Sequence, residues 1–249
     1  MNHERISEIG HGEMPFHNPI GEDALDALID LLPLEPGDAA LDVGCGRGEL
    51  LIRIAEVTGA HGFGLDASDA QISAARHEAA LRVPAAELVF ETRDAGTLVA
   101  PAGSFAVAAC VGSTHALGGL EATLRRLSEL VRPGGYVLIG EGYWPRPPAA
   151  DELEALGAAE DELGDLPGLL AAGDAHGLTA AHLRTATGED WERYEWTYIF
   201  NLDRYAAEHP DEAGMRLVHD RVASIRRRRL LAAVKGEALG FAVVAWRSS

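Results

Sequence analysis

Short apolar segments alternate with amphipathic segments along the first 145 residues of the chain. The apolar segments predict five β-strands, approximately at residues 39–43, 62–65, 87–91, 105–111 and 136–139. Between them, apolar residues recur at intervals of three and four positions, which predicts helices near residues 22–32, 49–57, 69–81 and 120–131. Strands and helices that alternate over short connections are typical of a doubly wound, mostly parallel sheet. Such a sheet binds ligands at the carboxyl ends of its strands.

The C-terminal third of the chain follows a different pattern. Residues 178–187 and 239–246 have strand character, whereas residues 189–236 between them are helical. We therefore expect a helical insertion between strands six and seven, within a single domain that spans residues 22–249. Residues 1–21 are rich in glycine, proline and histidine, a composition that favours an ordered arm or lid over a regular element.

The overall charge argues against a nucleic-acid partner. Over 249 residues the chain carries 21 Lys and Arg against 39 Asp and Glu, a formal net charge of −18. This charge repels a polyphosphate backbone at long range. The 2 cysteines are too few for a disulfide framework. Neither an apolar signal segment nor a membrane-length apolar run is visible, so we expect a cytoplasmic monomer or homodimer that does not bind a membrane.

The most informative stretch joins the first predicted strand to the helix that follows it. It reads Asp42-Val43-Gly44-Cys45-Gly46-Arg47-Gly48, with glycines at alternate positions. Glycine at such a turn allows a positive φ and lets a ligand approach where a Cβ atom would collide. The following helix presents unpaired N–H groups at its start. Because no lysine follows the glycines, as a phosphate-binding P-loop would require, a ligand carboxylate suits this turn better than a phosphate.

Two further acidic residues follow predicted strands. Asp66 lies 18 residues beyond Gly48, at the end of the second strand, where a carboxylate meets the ribose hydroxyls of a bound nucleoside. Asp94 lies at the end of the third strand, placed to accept a hydrogen bond from an adenine amino group. Both acids should therefore converge on the crevice above the glycine turn. The glycine spacing differs from the Gly-x-Gly-x-x-Gly of NAD sites, which disfavours a nicotinamide cofactor.

Four segments carry a family resemblance, and they read Leu41-Asp42-Val43-Gly44-Cys45-Gly46-Arg47-Gly48, Gly64-Leu65-Asp66, Arg93-Asp94-Ala95 and Arg132-Pro133-Gly134-Gly135. They resemble the successive motifs of class I S-adenosylmethionine-dependent methyltransferases, over roughly residues 22–145. The resemblance implies a Rossmann-like α/β sheet of seven strands, the last of them antiparallel. It also implies that S-adenosylmethionine is bound and S-adenosylhomocysteine released. The residues that it assigns to the cofactor are Asp42, Gly44, Cys45, Gly46, Gly48, Asp66, Ala67, Asp94, Ala95 and Val111.

Methyl transfer makes modest demands on acid–base residues. A sulfonium methyl group is already a strong electrophile, so the protein mainly has to align an acceptor, which can contribute about 7 to 11 kcal/mol. A base is needed only where the acceptor carries a proton. His115, at the end of the fourth strand, and Glu141, at the end of the fifth, are the candidates. A second interpretation of His115 is a polar pocket residue that orients the acceptor.

Aromatic residues and histidines outside the glycine turn are candidates for the acceptor site. The candidates are His11, Phe16, His115, Tyr143, Trp144, Trp191, Tyr194 and Tyr198. The last three share one helical face, at spacings of three and four. This face suits either core packing or an aromatic wall around a flat or cationic acceptor, in an insertion that covers the substrate. Tyr143 and Trp144 have the same two interpretations, while His11 and Phe16 are either lid contacts or ordinary surface residues.

Two other features have weaker functional interpretations. The spacings of His3, His11 and His17 fit no standard metal site, so no metal is expected. Residues 226–229 are four consecutive arginines, which point around a whole helix and cannot form one nucleic-acid-binding stripe. We expect these arginines to pair with acidic residues, aided by a position near a helix C-terminus.

The sequence therefore favours transfer of a methyl group to the oxygen or nitrogen of a small molecule. No Asp/Asn-Pro-Pro-aromatic tetrad follows the fourth strand and no Pro-Cys occurs, which disfavours the nucleic-acid methyltransferases that use these motifs. Two alternatives are methylation of a protein or an RNA, and binding of the cofactor without turnover. An exposed docking surface, basic in the case of RNA, would favour the macromolecular alternative.

Overall fold

The computed structural model describes residues 1–249, apart from the side chain of Glu4. Its seven strands form one sheet; they are β1 (Ala39–Val43), β2 (His61–Asp66), β3 (Leu88–Thr92), β4 (Phe105–Val111), β5 (Val131–Tyr143), β6 (Leu178–Thr185) and β7 (Gly240–Ser248). The order across the sheet is β3-β2-β1-β4-β5-β7-β6. β1 to β5 pair in parallel, and β7 is antiparallel to its neighbours. The sequence-based prediction of the sheet is confirmed, including the antiparallel last strand and the helical insertion before it.

The helices predicted from the apolar periodicity are all present, and one other segment is an exception to its prediction. The helices of the structure are α1 (His3–His11), α2 (Glu22–Ile29), α3 (Glu49–Thr58), α4 (Asp69–Arg82), α5 (Leu120–Leu130), α6 (Ala150–Leu156), α7 (Leu166–Ala171), α8 (Gly188–Glu208) and α9 (Met215–Lys235). The exception is α1, because an irregular arm was expected where the structure has a helix. Its start is capped by Asn2, whose side chain accepts the Arg5 N–H at 2.9 Å.

The chain divides into two compact units. The sheet unit consists of Ile20–Gly142, Pro167–Thr185 and Phe241–Ser249. The helical unit consists of Met1–Pro19, Tyr143–Leu166 and Ala186–Gly240. Within the described residues, none of the helices combines the length and the apolar composition needed to cross a bilayer.

The core of the sheet unit surrounds the central strand β4. Every residue of β4 except Val111 is buried, as expected for a parallel strand covered on both faces. Helix α5 covers it with Leu124, Leu127 and Leu130, which recur at helical spacing and are all fully buried. This packing fixes the carboxyl ends of the parallel strands, where the glycine turn lies.

The core of the helical unit lies among α1, α8 and α9. Its buried residues are Ile6, Tyr198, Ile199, Leu202, Ala206, Met215, Val218, Val222 and Ile225. The ring of Tyr198 occupies the space beside Gly10, where a Cβ atom would collide with it. The side chain of Asn201 donates to the carbonyl of Gly10 at 3.0 Å. Helix α1 is therefore held by contacts with α8 that are remote in the sequence.

The four consecutive arginines of α9 all pair with acidic residues, which confirms the predicted pairing, but they lie before the last turn of α9 and so gain no help from its C-terminus. The exposed Arg226 and Arg227 pair with Asp203 and Glu154 at 2.6 and 2.7 Å. The other two point inward: Arg228 and Arg229 both pair with Glu195, and Arg229 also pairs with Glu237 at 2.7 Å. Glu195 is only 1% exposed, so its charge depends on these guanidinium groups.

Candidate functional site

The glycine turn between β1 and α3 folds back over the end of β2. The N–H groups of Gly44 and Cys45 donate to the carbonyl of Leu65 at 2.8 and 3.0 Å. The N–H of Gly48 closes the turn by donating to the carbonyl of Cys45 at 2.9 Å. Gly44, Gly46 and Gly48 all have positive φ, at 73°, 51° and 76°. The alternate glycines are thus explained by a backbone path that other residues adopt only with strain.

The space beside these glycines differs from one to the next. A Cβ atom at Gly44 would collide with the side chain of Ser113, and one at Gly48 would lie 2.6 Å from the ring of Phe90. Nothing lies within 4 Å of a Cβ position at Gly46. Helix α3 begins directly after Gly48, and no side chain caps its N–H groups. The turn therefore combines open space at Gly46 with free hydrogen-bond donors, as a cradle for an anionic group requires.

Asp66 connects the end of β2 to the glycine turn. One carboxylate oxygen accepts the N–H of Gly46 at 3.0 Å, and the other accepts the N–H of Ser68 at 2.9 Å. Each carboxylate oxygen has two acceptor positions, so Asp66 can still accept hydrogen bonds from a ligand hydroxyl. Sequence reasoning assigned Asp66 to a ribose but did not identify this second role of holding the turn.

Asp42 is a buried acid beneath the turn. Its side chain is only 4% exposed. Burial, together with the nearby Asp66 carboxylate, raises the pKa of Asp42 to about 7. Burial and the same two acids also raise the pKa of the Cys45 thiol, which is therefore protonated and is not a nucleophile. A ligand ammonium group placed near Asp42 would stabilise the carboxylate form.

The remaining residues expected at the cofactor lie at neighbouring strand ends. Asp94 follows β3, and its carboxylate accepts the N–H of Gly96 at 2.7 Å, which caps a short 3₁₀ turn containing the buried Ala95. Ala67 follows β2, and Val111 is the last residue of β4. Because β1 to β4 are parallel neighbours, the structure brings these residues to the same edge of the sheet as the glycine turn.

Glu141 and Thr114 form a hydrogen-bonded pair at the ends of β5 and β4. One oxygen of Glu141 accepts the hydroxyl of Thr114, and the other accepts the N–H of Gly142 at 3.0 Å. His115 follows Thr114 in a 3₁₀ turn and is exposed. Sequence reasoning identified Glu141 and His115 but missed Thr114. The sequence signal that could have identified Thr114 was its position directly before His115, in the turn that follows β4.

Tyr143 and Trp144 are packed inside the helical unit. The indole N–H of Trp144 donates to the carbonyl of Glu160 at 2.9 Å, and its side chain is buried. The ring of Tyr143 lies against Gly240, where a Cβ atom would collide with it. These contacts support the packing interpretation of both residues, and their contact with an acceptor stays a prediction.

His11 and Tyr194 are joined within the helical unit. Because the carbonyl of Ser7 can only accept, His11 Nδ1 donates to it at 2.8 Å, and the Tyr194 hydroxyl donates to Nε2 at 2.9 Å. Burial, reinforced by the stacked ring of His17 at 4.1 Å, lowers the pKa of His11 to about 3. His11 is thus a neutral buried residue and not a surface histidine.

The other predicted acceptor residues are also in the helical unit. Trp191 is buried on α8, and its ring meets that of Tyr194 edge to face at 6.2 Å. Tyr198 is buried on the same face of α8 and packs against α1. Phe16 lies in the segment that follows α1. The shared helical face of the three α8 residues is confirmed, and a contact of any of them with an acceptor stays a prediction.

Comparison with known proteins identifies relatives along most of the chain. A family profile described as a methyltransferase domain matches residues 34–201. The Escherichia coli protein YjhP is 34% identical over 214 residues, which are 85% of this chain and 86% of YjhP. A SAM-dependent methyltransferase from Geobacter sulfurreducens, crystallised with S-adenosyl-L-homocysteine, superposes with a TM-score of 0.89 at 33% identity and covers 98% of each chain. A 27-O-demethylrifamycin SV methyltransferase from Amycolatopsis mediterranei is 34% identical over 130 residues, which are 52% of this chain and 48% of that enzyme.

Proposed function

The chain belongs to the class I S-adenosylmethionine-dependent methyltransferases, and on that premise we propose that it methylates a small molecule at oxygen or nitrogen. When bound, the cofactor supplies an electrophilic methyl group on a sulfonium centre. The protein's own tasks are to hold the cofactor, to align an acceptor and, where the acceptor carries a proton, to remove it.

The geometry of the glycine turn supports our assignment of the cofactor residues, and the open space at Gly46 is the observation that carries this proposal. The carboxylate of the cofactor's methionine part fits the uncapped start of α3 beside this space. Its ammonium group suits the buried carboxyl of Asp42. The remaining acceptor positions of Asp66 suit the ribose hydroxyls, and Asp94 suits the adenine amino group.

Proton removal is assigned to Glu141. The Thr114 hydroxyl and the Gly142 N–H fix both of its carboxylate oxygens, so the group is oriented before any acceptor binds. His115 is exposed in the adjoining turn and is assigned to contact with the acceptor. In this arrangement Thr114 is a positioning residue, because it acts through Glu141.

A small-molecule acceptor is supported by the relatives and by charge. The Amycolatopsis relative is, by its name, a methyltransferase for 27-O-demethylrifamycin SV. The net charge of −18 favours neutral or cationic acceptors at long range and disfavours RNA.

The experiment that tests the cofactor assignment is a calorimetric titration with S-adenosylhomocysteine. Asp66→Asn should weaken binding by about 1.5 to 3 kcal/mol, the usual effect of losing a hydrogen bond to a charged group. Asp69→Asn is the matched control, because Asp69 also lies near the end of β2 but is exposed and accepts the Thr92 hydroxyl at 2.5 Å. Equal affinities for S-adenosylhomocysteine in the unchanged protein, Asp66→Asn and Asp69→Asn would contradict the ribose assignment.

Transfer itself is tested with methyl-labelled S-adenosylmethionine and a panel of small phenols, amines and carboxylic acids. Labelled product from at least one class is expected. Tight binding of S-adenosylhomocysteine without transfer to any small molecule would favour the alternatives of a macromolecular acceptor or of binding without turnover.

A further inference from the structure

A cavity of about 370 Å³ lies wholly within the helical unit, among α1, α8 and α9. Its volume falls within the range of roughly 300 to 1,000 Å³ typical of small-molecule sites. Apolar side chains form part of the wall, namely Ile6, Leu217 and Ile225. None of the lining residues comes from the glycine turn or the strand ends. The lining residues are therefore different from those assigned to the cofactor.

Aromatic rings form the opposite part of the wall. His11, Tyr194 and Tyr198 all line the cavity, and the ring of His11 meets that of Tyr198 edge to face at 5.1 Å. Burial raises the pKa of both tyrosines and lowers that of His11, so all three rings are uncharged at neutral pH. Such a wall favours a flat ring as the ligand.

Two guanidinium groups line the cavity, those of Arg221 and Arg228. Arg221 lies 5.7 Å from the ring centre of Tyr198 and forms no ion pair with any carboxylate among the described side chains. Arg221 is exposed, and its charge is the smallest of the influences on the pKa of His11, which it lowers. The Nε of Arg228 is buried and has no hydrogen-bond partner in the described part of the chain.

Two carboxylates also line the cavity, those of Glu195 and Asp220, and Glu195 offsets the charge of Arg228. Glu195 is already paired with Arg228 and Arg229. Asp220 is exposed and lies 3.7 Å from Arg216. Among the described side chains, Arg221 is thus a lining cation without a carboxylate partner, and a ligand anion would supply one.

We propose that this cavity binds a small aromatic carboxylate, with its ring against Tyr194 and Tyr198 and its carboxylate facing Arg221 and the Nε of Arg228. A cation would be repelled by the Arg221 guanidinium, and a neutral ring would leave the buried Nε of Arg228 without an acceptor. This site goes beyond the proposed methyl transfer, because its ligand need not be the acceptor.

The test uses 2-naphthoate and the uncharged 2-naphthamide as probes in calorimetric titrations of the full chain. The carboxylate should bind at least tenfold more tightly than the amide. Arg221→Gln should remove this difference. Arg226→Gln should retain it, because Arg226 lies on the same helix but pairs with Asp203 and does not line the cavity.

A second pair of variants tests the cavity without removing an arginine. Leu217→Glu places a negative charge at the cavity wall and should weaken 2-naphthoate at least tenfold, whereas Leu230→Glu on the same helix should not. Both leucines are exposed, at 41% and 71%, so both variants should fold. Equal affinities for the two probes, no binding of either at millimolar concentration, or wild-type binding by Arg221→Gln and Leu217→Glu would overturn the proposal. Binding of S-adenosylhomocysteine is not part of the readout, so such a failure leaves the proposed function intact.

Discussion

Thr114 donates its hydroxyl to the carboxylate of Glu141 and so joins the turn after β4 to the end of β5. The two strands are parallel neighbours, with Val111 opposite Gly140, which fixes the distance between the two side chains. The carbonyl of Thr114 in turn accepts the hydroxyl of Thr123 at 3.2 Å. The pair therefore presents an oriented carboxylate at the sheet edge that also carries the glycine turn.

Glu141→Gln should lower turnover by about 10² to 10⁴, the usual contribution of a general base, for an acceptor that must lose a proton. The affinity for S-adenosylhomocysteine should stay within twofold, because Glu141 is not assigned to the cofactor. Steady-state rates and calorimetry measure the two quantities. His115→Ala should mainly raise KM, and Glu129→Gln, at an exposed acid on α5, should change neither quantity. A fall in kcat with His115→Ala but not with Glu141→Gln would transfer the base role to His115.

Asp42→Asn should stabilise the protein without cofactor at pH 8. The native pKa of about 7 exceeds the ordinary value of 3.8, so the native state holds a proton that the unfolded state releases. The contribution of Asp42 to stability is therefore complete below pH 4 and is lost as the pH rises through 7. This difference corresponds to about 4 kcal/mol, which Asn should recover in urea unfolding at pH 8. If the stability advantage of Asp42→Asn did not grow between pH 4 and 7, the raised pKa of Asp42 would be contradicted.

Asp38→Asn is a control for this experiment, because its expected change in stability has the opposite sign. The Arg132 guanidinium and the Glu35 N–H lower the pKa of Asp38 and outweigh the opposing effect of burial. Its contribution to stability is present above its ordinary pKa and is lost as the pH falls through the lowered value. Asp38→Asn should therefore reduce stability at pH 8, where Asp42→Asn increases it.

Glu195→Gln should destabilise the fold by about 3 to 5 kcal/mol, because it leaves two buried guanidinium groups with an uncharged partner. Arg228 and Arg229 are both largely buried beside it. Glu192→Gln is the matched control, because Glu192 is exposed on the same helix. Urea unfolding measures both changes, and equal stabilities of the Glu195→Gln and Glu192→Gln variants would show that the buried ion pairs contribute little.

The glycine turn could be predicted in detail because its signals are local. An apolar strand, alternate glycines and a helical run follow one another within residues 39–57, and no remote contact is needed to recognise them. The same holds for the positions of Asp66 and Asp94, because Asp66 ends β2 and Asp94 lies shortly after β3.

The features that the sequence did not predict depend on remote contacts. Helix α1 contains Gly10, which weakens a helix, and it is held by Tyr198 and Asn201 of α8. Glu195 lies among charged residues that suggest an exposed surface, and only the packing of α9 shows that it is buried. The Thr114–Glu141 pair follows from the register of β4 and β5, which periodicity alone does not determine.

The central claim, that the cofactor lies against the glycine turn, is tested most directly by comparing Gly46→Ala with Gly37→Ala. Both glycines have positive φ, at 51° and 92°, and neither has an atom within 4 Å of its Cβ position, so neither alanine introduces a collision and Gly37→Ala carries at least as much backbone strain. Calorimetric titration with S-adenosylhomocysteine should show at least tenfold weaker binding for Gly46→Ala and wild-type binding for Gly37→Ala. Wild-type affinity in a folded Gly46→Ala protein would contradict the account.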